Sequence, residues 1–205
     1  MDGFDEDVRQ MLAFREGDVR AFDALFQRWS GPLLRYLERM LQDAAGAEDL
    51  VQEVFLRVHR ARERYRPEAR FSTWIFRIAT NLALNELRRP RRRETHTSLD
   101  AEEGPELSAP TTATDDAVHA KRIADDVEIA LRSLPERQRA ALWLSAVEGF
   151  SYAEVGESLD VSEKAVKALV HRARSNLASR LEASREVSLG PARAGDAETK
   201  GGVER

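Results

Sequence analysis

Apolar residues recur along this chain at steps of three and four, the period of a helix with one buried face. Phe22, Leu25, Phe26, Trp29, Leu33, Leu37 and Met40 follow it from about Asp18 onward, and residues 5–15 hold a shorter run. "SGP" at 30–32 is expected to bend or break that helix, because proline lacks the amide donor. "DAAGAED" makes a turn and starts a helix over about 47–64. In its stretch "AEDLVQEVFLRVHR", Val51, Val54, Phe55 and Val58 share one face. Asp49, Gln52 and Glu53 share the other, with Leu56 among them. "RPEARFS" at 66–72 reads as a loop with Ser72 as a candidate cap. The next helix, about 73–89, has Ile75, Phe76, Ala79, Leu82, Ala83 and Leu87 on its core side.

The pattern then lapses. Residues 90–118 are rich in Pro, Ser, Thr and acids and poor in large apolar residues. Such a segment buries too little surface to offset its ordering and reads as a flexible linker. Helical patterning resumes over about 119–133, and Pro135 opens a helix to about Val147. "EGFS" is a turn with Gly149 as its C-cap. Ser151 and Glu154 have capping-box spacing for a short helix at 151–158. After "LDVS", Ser162 can cap a long last helix to about 182. No strand alternation or internal repeat is visible. The fold class is therefore all-α, two small helical domains joined by a flexible acidic linker. The divisions are 1–93, a linker at 94–118, 119–182 and a disordered tail at 183–205.

The chain has no cysteine, which excludes a disulfide framework, a thiolate zinc site and a cysteine nucleophile within it. His59, His96, His119 and His171 are scattered, and no carboxylate cluster has metal-ligand spacing. No catalytic residue, metal or cofactor is expected. "MDGFDEDVRQ" lacks the apolar core of a secretory signal, and no run approaches the roughly 20 residues that span a bilayer. A cytoplasmic protein without membrane insertion is expected. The net charge of −4 conceals a segregation. Residues 57–93 carry 12 arginines against Glu63, Glu68 and Glu86, a local +9, while 1–56 and 94–129 are acidic. The basic block points to a polyanionic partner.

Two places carry that chemistry. "SYAEVGESLDVSEKAVKALVHRARSNL" has the layout of a helix-turn-helix, with Tyr152, Val155, Leu159, Val161, Val166 and Leu169 or Val170 inward. Ser162, Lys164, Lys167, His171, Arg172 and Arg174 then form the candidate duplex-binding set. An ordinary helical hairpin with a solvated basic face is the bland alternative. In the helix at 73–89, Trp74, Arg77, Ile78, Asn81, Asn85 and Arg88 share one sector. Asparagine can bond base edges, tryptophan can stack on an unpaired base and arginine can hold phosphate. Trp74 alone is equally consistent with a core position.

In the order "AEDLVQEVFLRVHR", "FSTWIFRIATNLALNELRR" and "LPERQRAALWLSAVEGFSYAEVGESLDVSEKAVKALVHRAR", the chain resembles a bacterial RNA polymerase sigma factor. The likeness is to the extracytoplasmic-function (ECF) group, which keeps sigma regions two and four, and covers about 20–89 and 125–182. It implies a factor that binds core RNA polymerase, directs it to specific promoters and promotes melting, with nucleotide addition left to the polymerase. By resemblance, Asp49, Gln52 and Glu53 meet the clamp helices of the largest subunit, and the helical wheel adds Leu56. Region four would meet the flap of the second-largest subunit, and an anti-sigma factor is an expected partner. The −10 reader is the loop and helix bearing Arg70, Phe71, Ser72, Trp74, Arg77, Asn81 and Asn85, to which the wheel adds Arg88. The duplex-binding set would read the −35 element. Many members have Thr-Val then Ser-Arg early in the recognition helix, where this chain has Ala165-Val166 and Ala168-Leu169. Which −35 bases are read is therefore open. The rivals are a stand-alone helix-turn-helix regulator with a palindromic operator and a nucleic-acid enzyme.

Overall fold

A computed structural model describes residues 2–89 and 126–189. The linker read at 90–118 and residues 190–205 of the tail lie outside the described residues. Among the described residues there is no strand, and no helix is long and apolar enough to cross a membrane.

Helix α1 is Asp2–Arg15 and α2 is Val19–Leu41. The expected break at "SGP" does not occur, since α2 runs unbroken through Pro32. A proline costs a helix interior about 3 kcal/mol. Leu33, Tyr36, Leu37 and Met40, none more than 1% exposed, follow it on the core side. Burying side chains of this kind contributes about 1.5–3 kcal/mol each, so keeping the helix intact outweighs the lost bond.

Helix α3 is Ala44–Ala61, followed by one 3-10 turn at Arg62–Arg64. Its buried face holds Val51, Val54, Phe55 and Val58, as the periodicity predicts. Helix α4 is Phe71–Arg88 and begins one residue before Ser72, so Ser72 is not its cap; Arg70 is. The reason is Phe71, whose ring is 1% exposed and packs against Trp29, Tyr65 and Trp74. That anchorage draws it into the first turn.

Residues 126–132 are helical (α5), the described end of the helix predicted over 119–133. Helix α6 is Glu136–Ala146, α7 is Tyr152–Leu159 and α8 is Glu163–Leu189. The capping box holds: the Ser151 hydroxyl accepts from the Glu154 amide, and the Glu154 carboxylate accepts from the Ser151 amide at 2.9 Å. Ser162 caps α8, accepting from the Ala165 amide at 3.3 Å. The tail expected to lack structure from 183 is helical as far as Leu189. "ASREVSL" contains no Gly or Pro, so nothing in it breaks α8.

The α7–α8 turn is unusually close. Asp160 takes the left-handed conformation at φ 54°, and the Val161 amide donates to the Gly156 carbonyl at 3.0 Å. A Cβ on Gly156 would meet the Val161 carbonyl oxygen at 2.7 Å, so only glycine fits. Val155, Leu159, Val166, Val170 and Ala173 complete this core, and it is Val170, rather than Leu169, that is fully inward.

The two halves pack on one another, α7 lying against α4. Phe76 and Phe150 meet edge to face at 5.5 Å between centroids. Arg139 is buried and donates to the Arg39 carbonyl, at the last turn of α2, at 3.2 Å. The Gln42 amide donates to the Arg132 carbonyl at 3.0 Å, and Arg39 pairs with Glu128 at 2.8 Å.

Candidate nucleic-acid interface

The helical wheel of α4 holds in three dimensions. Arg77, Asn81, Asn85 and Arg88 are exposed in one sector, while Ile75, Phe76, Ala79, Leu82 and Ala83 are buried behind them. Trp74 lies between these extremes. It is half-buried, with Tyr65 edge-on at 4.9 Å and Phe71 tilted at 5.6 Å. A ring braced on two sides and open on a third is a ready stacking platform, because its position does not have to be ordered on binding.

Phe71 is corrected. Expected among the base-contacting residues, it is 1% exposed and supports Trp74 from behind. Ser72 is half-buried and Arg70 is exposed at the helix start.

A cleft of about 570 Å³ opens beside Trp74, between the first turns of α4 and the segment ahead of it. Arg64, Arg66 and Arg77 line it with Trp74 and Tyr65. Arg64 and Arg66 were not singled out from the sequence. Their only signal there was the charge of the 57–93 block, since they sit in a 3-10 turn and a loop that no helical wheel covers. Three guanidiniums around two aromatic rings can hold a backbone phosphate while a base stacks. Glu157 of α7 also lines this cleft.

The Tyr65 hydroxyl is buried with no hydrogen-bond partner among the described residues. Burial, with a smaller contribution from the nearby Asp7 carboxylate, pushes its pKa up to about 12. Asp7 is itself buried and pushed upward by desolvation, against the pull of Arg28, whose guanidinium is 3.3 Å away.

Arg70 does not face solvent alone. Its Nε lies 3.5 Å from Glu154 Oε1, and Thr73 Oγ1 is 3.5 Å from the same oxygen. Partial burial works to raise the Glu154 carboxyl. The Ser151 amide and hydroxyl and the Arg70 charge outweigh it and hold Glu154 below the ordinary carboxylate value.

On α3 the acidic face is where the sequence put it. Asp49 and Gln52 are exposed, Leu56 is 49% exposed, and Glu53 is half-buried against Arg57. One neighbour was missed. Phe26, grouped by periodicity with the core of α2, is 43% exposed, and its ring lies 4.7 Å from that of Phe55. It leaves an exposed aromatic ring of α2 against the buried side of α3.

On α8, Ser162, Lys164, Lys167, His171, Arg172 and Arg174 are all exposed. They do not form one strip. At about 100° per residue, Lys164, Lys167, His171 and Arg174 fall within about 80°, and Arg172 points roughly 160° from Arg174. The Ser162 hydroxyl is already engaged as the helix cap. Among the described residues no group of acidic or histidine side chains is placed to hold a metal ion.

Comparison with known proteins agrees with this layout. Residues 25–93 match the family model for Sigma-70 region 2, and residues 125–177 that for Sigma-70, region 4. RNA polymerase sigma factor CarQ of Myxococcus xanthus is 36% identical over 162 residues, covering 79% of this chain and 90% of its own. The ECF RNA polymerase sigma-E factor of Haemophilus influenzae is 30% identical over 177 residues, covering 82% and 91%. Among solved structures, CnrH in complex with the cytosolic domain of CnrY superposes with TM-score 0.63 at 24% identity, over 87% of this chain and 98% of that one. RpoE of Bartonella quintana in complex with the anti-sigma factor NepR gives 0.60 at 24%, over 80% and 98%. These two share the fold. Both sigma regions in the expected order, with relatives that match over nearly their whole length, establish that the chain belongs to the ECF group of promoter-directing RNA polymerase sigma factors.

Proposed function

We propose that the two halves divide promoter work at the residues described above. The observation that carries this reading is the cleft beside Trp74, where Arg64, Arg66 and Arg77 surround an aromatic platform with Asn81 and Asn85 exposed farther along the same helix. Cations, a stacking ring and amides suit an unpaired strand, whose bases are free to leave the stack. The N-terminal half reads and helps to melt the −10 element with Arg70, Trp74, Arg77, Asn81, Asn85 and Arg88. The C-terminal half binds the −35 element as duplex, with Lys164, Lys167, His171 and Arg174 along one strip of α8.

The acidic face of α3 has a different partner, because Asp49 and Glu53 repel phosphate. Asp49, Gln52, Glu53 and Leu56 dock on the clamp helices of the largest polymerase subunit, and the C-terminal half on the flap of the second-largest. The factor is not itself an enzyme, acts in the cytoplasm and uses no cofactor. Two proteins of the same fold were solved with the cytosolic domain of CnrY and with the anti-sigma factor NepR, which supports an anti-sigma partner here too.

The test adds the purified chain to core polymerase and a promoter library and scores promoter-specific transcripts. Transcripts starting at a common element pair are expected. The absence of both transcripts and a complex with core would refute the reading.

A further inference from the structure

One acid stands in the cationic strip of α8. At about 100° per residue, Glu163 falls about 40° from Lys167 and about 20° from Arg174. It is exposed in the first turn of the helix. Among the described residues its carboxylate has no hydrogen bond or ion pair, although Lys167 lies one turn on.

The turn ahead of it fixes where it sits. The Val161 amide donates to the Gly156 carbonyl at 3.0 Å, and Ser162 caps the first turn through the Ala165 amide at 3.3 Å. The Val161 carbonyl oxygen closes the space for a Cβ at Gly156, at 2.7 Å. Glu163 therefore rides on a rigid backbone, at the end of the helix that a helix-turn-helix directs at base edges.

A carboxylate in that place is selective by its chemistry. It only accepts hydrogen bonds, and phosphate repels it, so its charge opposes sequence-independent binding. Most polar groups on the major-groove edges are acceptors too: guanine N7 and O6, adenine N7 and thymine O4. The donors are the amino groups at cytosine N4 and adenine N6. Adenine holds its amino group between its own N7 and the O4 of the paired thymine. Cytosine N4 has an acceptor on one side alone, the O6 of its guanine. Cytosine is the base that a lone carboxylate meets with least repulsion.

We propose that Glu163 is a specificity-determining residue of the duplex-binding helix: its carboxylate accepts from the N4 amino group of a cytosine in the −35 element and disfavours other bases at that position. The proposal rests on the reading of α8 as the −35 helix. An acid in the first turn also suits the helix dipole, and that role alone would make Glu163 a stabilising residue without base preference.

The experiment assembles the chain with core polymerase and offers it promoter duplexes randomised over the −35 block. The enriched sequence and its single-base replacements are then titrated with wild type, Glu163→Ala and Glu182→Ala. Glu182, exposed toward the far end of α8, controls for the loss of one negative charge. At one position wild type should require cytosine, replacement weakening binding about 5- to 150-fold, the range for one mismatched pair. Glu163→Ala should bring the four bases at that position to near-equal affinity and keep the preferences elsewhere. It should also bind the replaced duplexes more tightly than wild type does, because a charge that repels phosphate is gone. Glu182→Ala should behave as wild type. Loss of a preference for any base but cytosine, an equal loss of affinity for all duplexes, or no loss of preference overturns the proposal. If wild type enriches no −35 sequence at all, the duplex reading of α8 fails, and the proposal with it.

Discussion

Glu53 accepts a hydrogen bond from Arg57 Nε at 2.9 Å across one turn of α3. The pair holds the Glu53 carboxylate in place beside the exposed Asp49, Gln52 and Leu56. An acid positioned before its partner arrives loses less side-chain freedom on docking. The double charge reversal D49K/E53K should weaken core polymerase binding at least about tenfold, since like charges brought together at an interface cost several kcal/mol. Duplex binding by α8 should be unchanged. Native gel shift against core, alongside duplex titration, checks both. Core binding that survives the reversal would place the docking face elsewhere.

Trp74 and Phe71 adjoin in space but should fail differently. Trp74→Ala removes the stacking platform and should lower single-strand affinity by about 5- to 150-fold, the range for one aromatic–base stack. Its denaturation midpoint should move little by comparison. Phe71→Ala empties a buried site packed by Trp29, Tyr65 and Trp74, and should destabilise the domain by about 3–5 kcal/mol. Chemical denaturation separates the two. A Phe71→Ala protein of normal stability that still loses strand binding would return Phe71 to the contact surface.

Along α8 the prediction follows the strip. Lys167→Ala should weaken duplex binding about equally across sequences and lower the slope of log affinity against log salt by about 1. Arg172→Ala, on the far side of the helix, should leave that slope unaltered. Titrations of a −35 duplex at three salt concentrations decide it. Equal effects from both substitutions would mean that the duplex contacts more of the helix than one strip.

The helices were legible because their apolar period is regular, and so were the two domains and the acidic and basic faces. Val51, Val54, Phe55 and Val58 are buried as the wheel of α3 places them, with Asp49 and Gln52 outside. What periodicity could not decide was which apolar residue at a helix edge is covered by a neighbour. Phe26 shares the period of Leu25 but is left open, and Phe71 looks like a loop residue but is sealed by three rings. Both outcomes depend on residues distant in sequence. The same holds for the cleft, whose Arg64 and Arg66 come from irregular backbone, and for the contact of Arg70 with Glu154, which joins positions 84 apart. Pro32 shows the converse, a strong local signal overridden by the burial that follows it.

The two buried tyrosines of the N-terminal domain should respond oppositely to loss of their hydroxyls. The Tyr36 hydroxyl is 2.8 Å from that of Thr80, in full burial, and Tyr36→Phe strands the Thr80 hydroxyl. That should cost about 1–3 kcal/mol. The Tyr65 hydroxyl is buried without a partner among the described residues, so Tyr65→Phe removes a desolvated group and should stabilise by up to about 1 kcal/mol. The pH dependence gives an independent check. Burial raises the Tyr65 phenol from 10.0 to about 12, so the native state holds a proton that the unfolded state releases in that interval. Stability should therefore fall as pH rises from about 10 to 12, by at most about 1.4 kcal/mol per unit from this group. Tyr65→Phe should show a shallower decline than wild type over that window and the same profile below it. Urea midpoints taken from pH 8 to 11.5 test both statements. A destabilised Tyr65→Phe would show that its hydroxyl has a hydrogen-bond partner in solution, such as an ordered water.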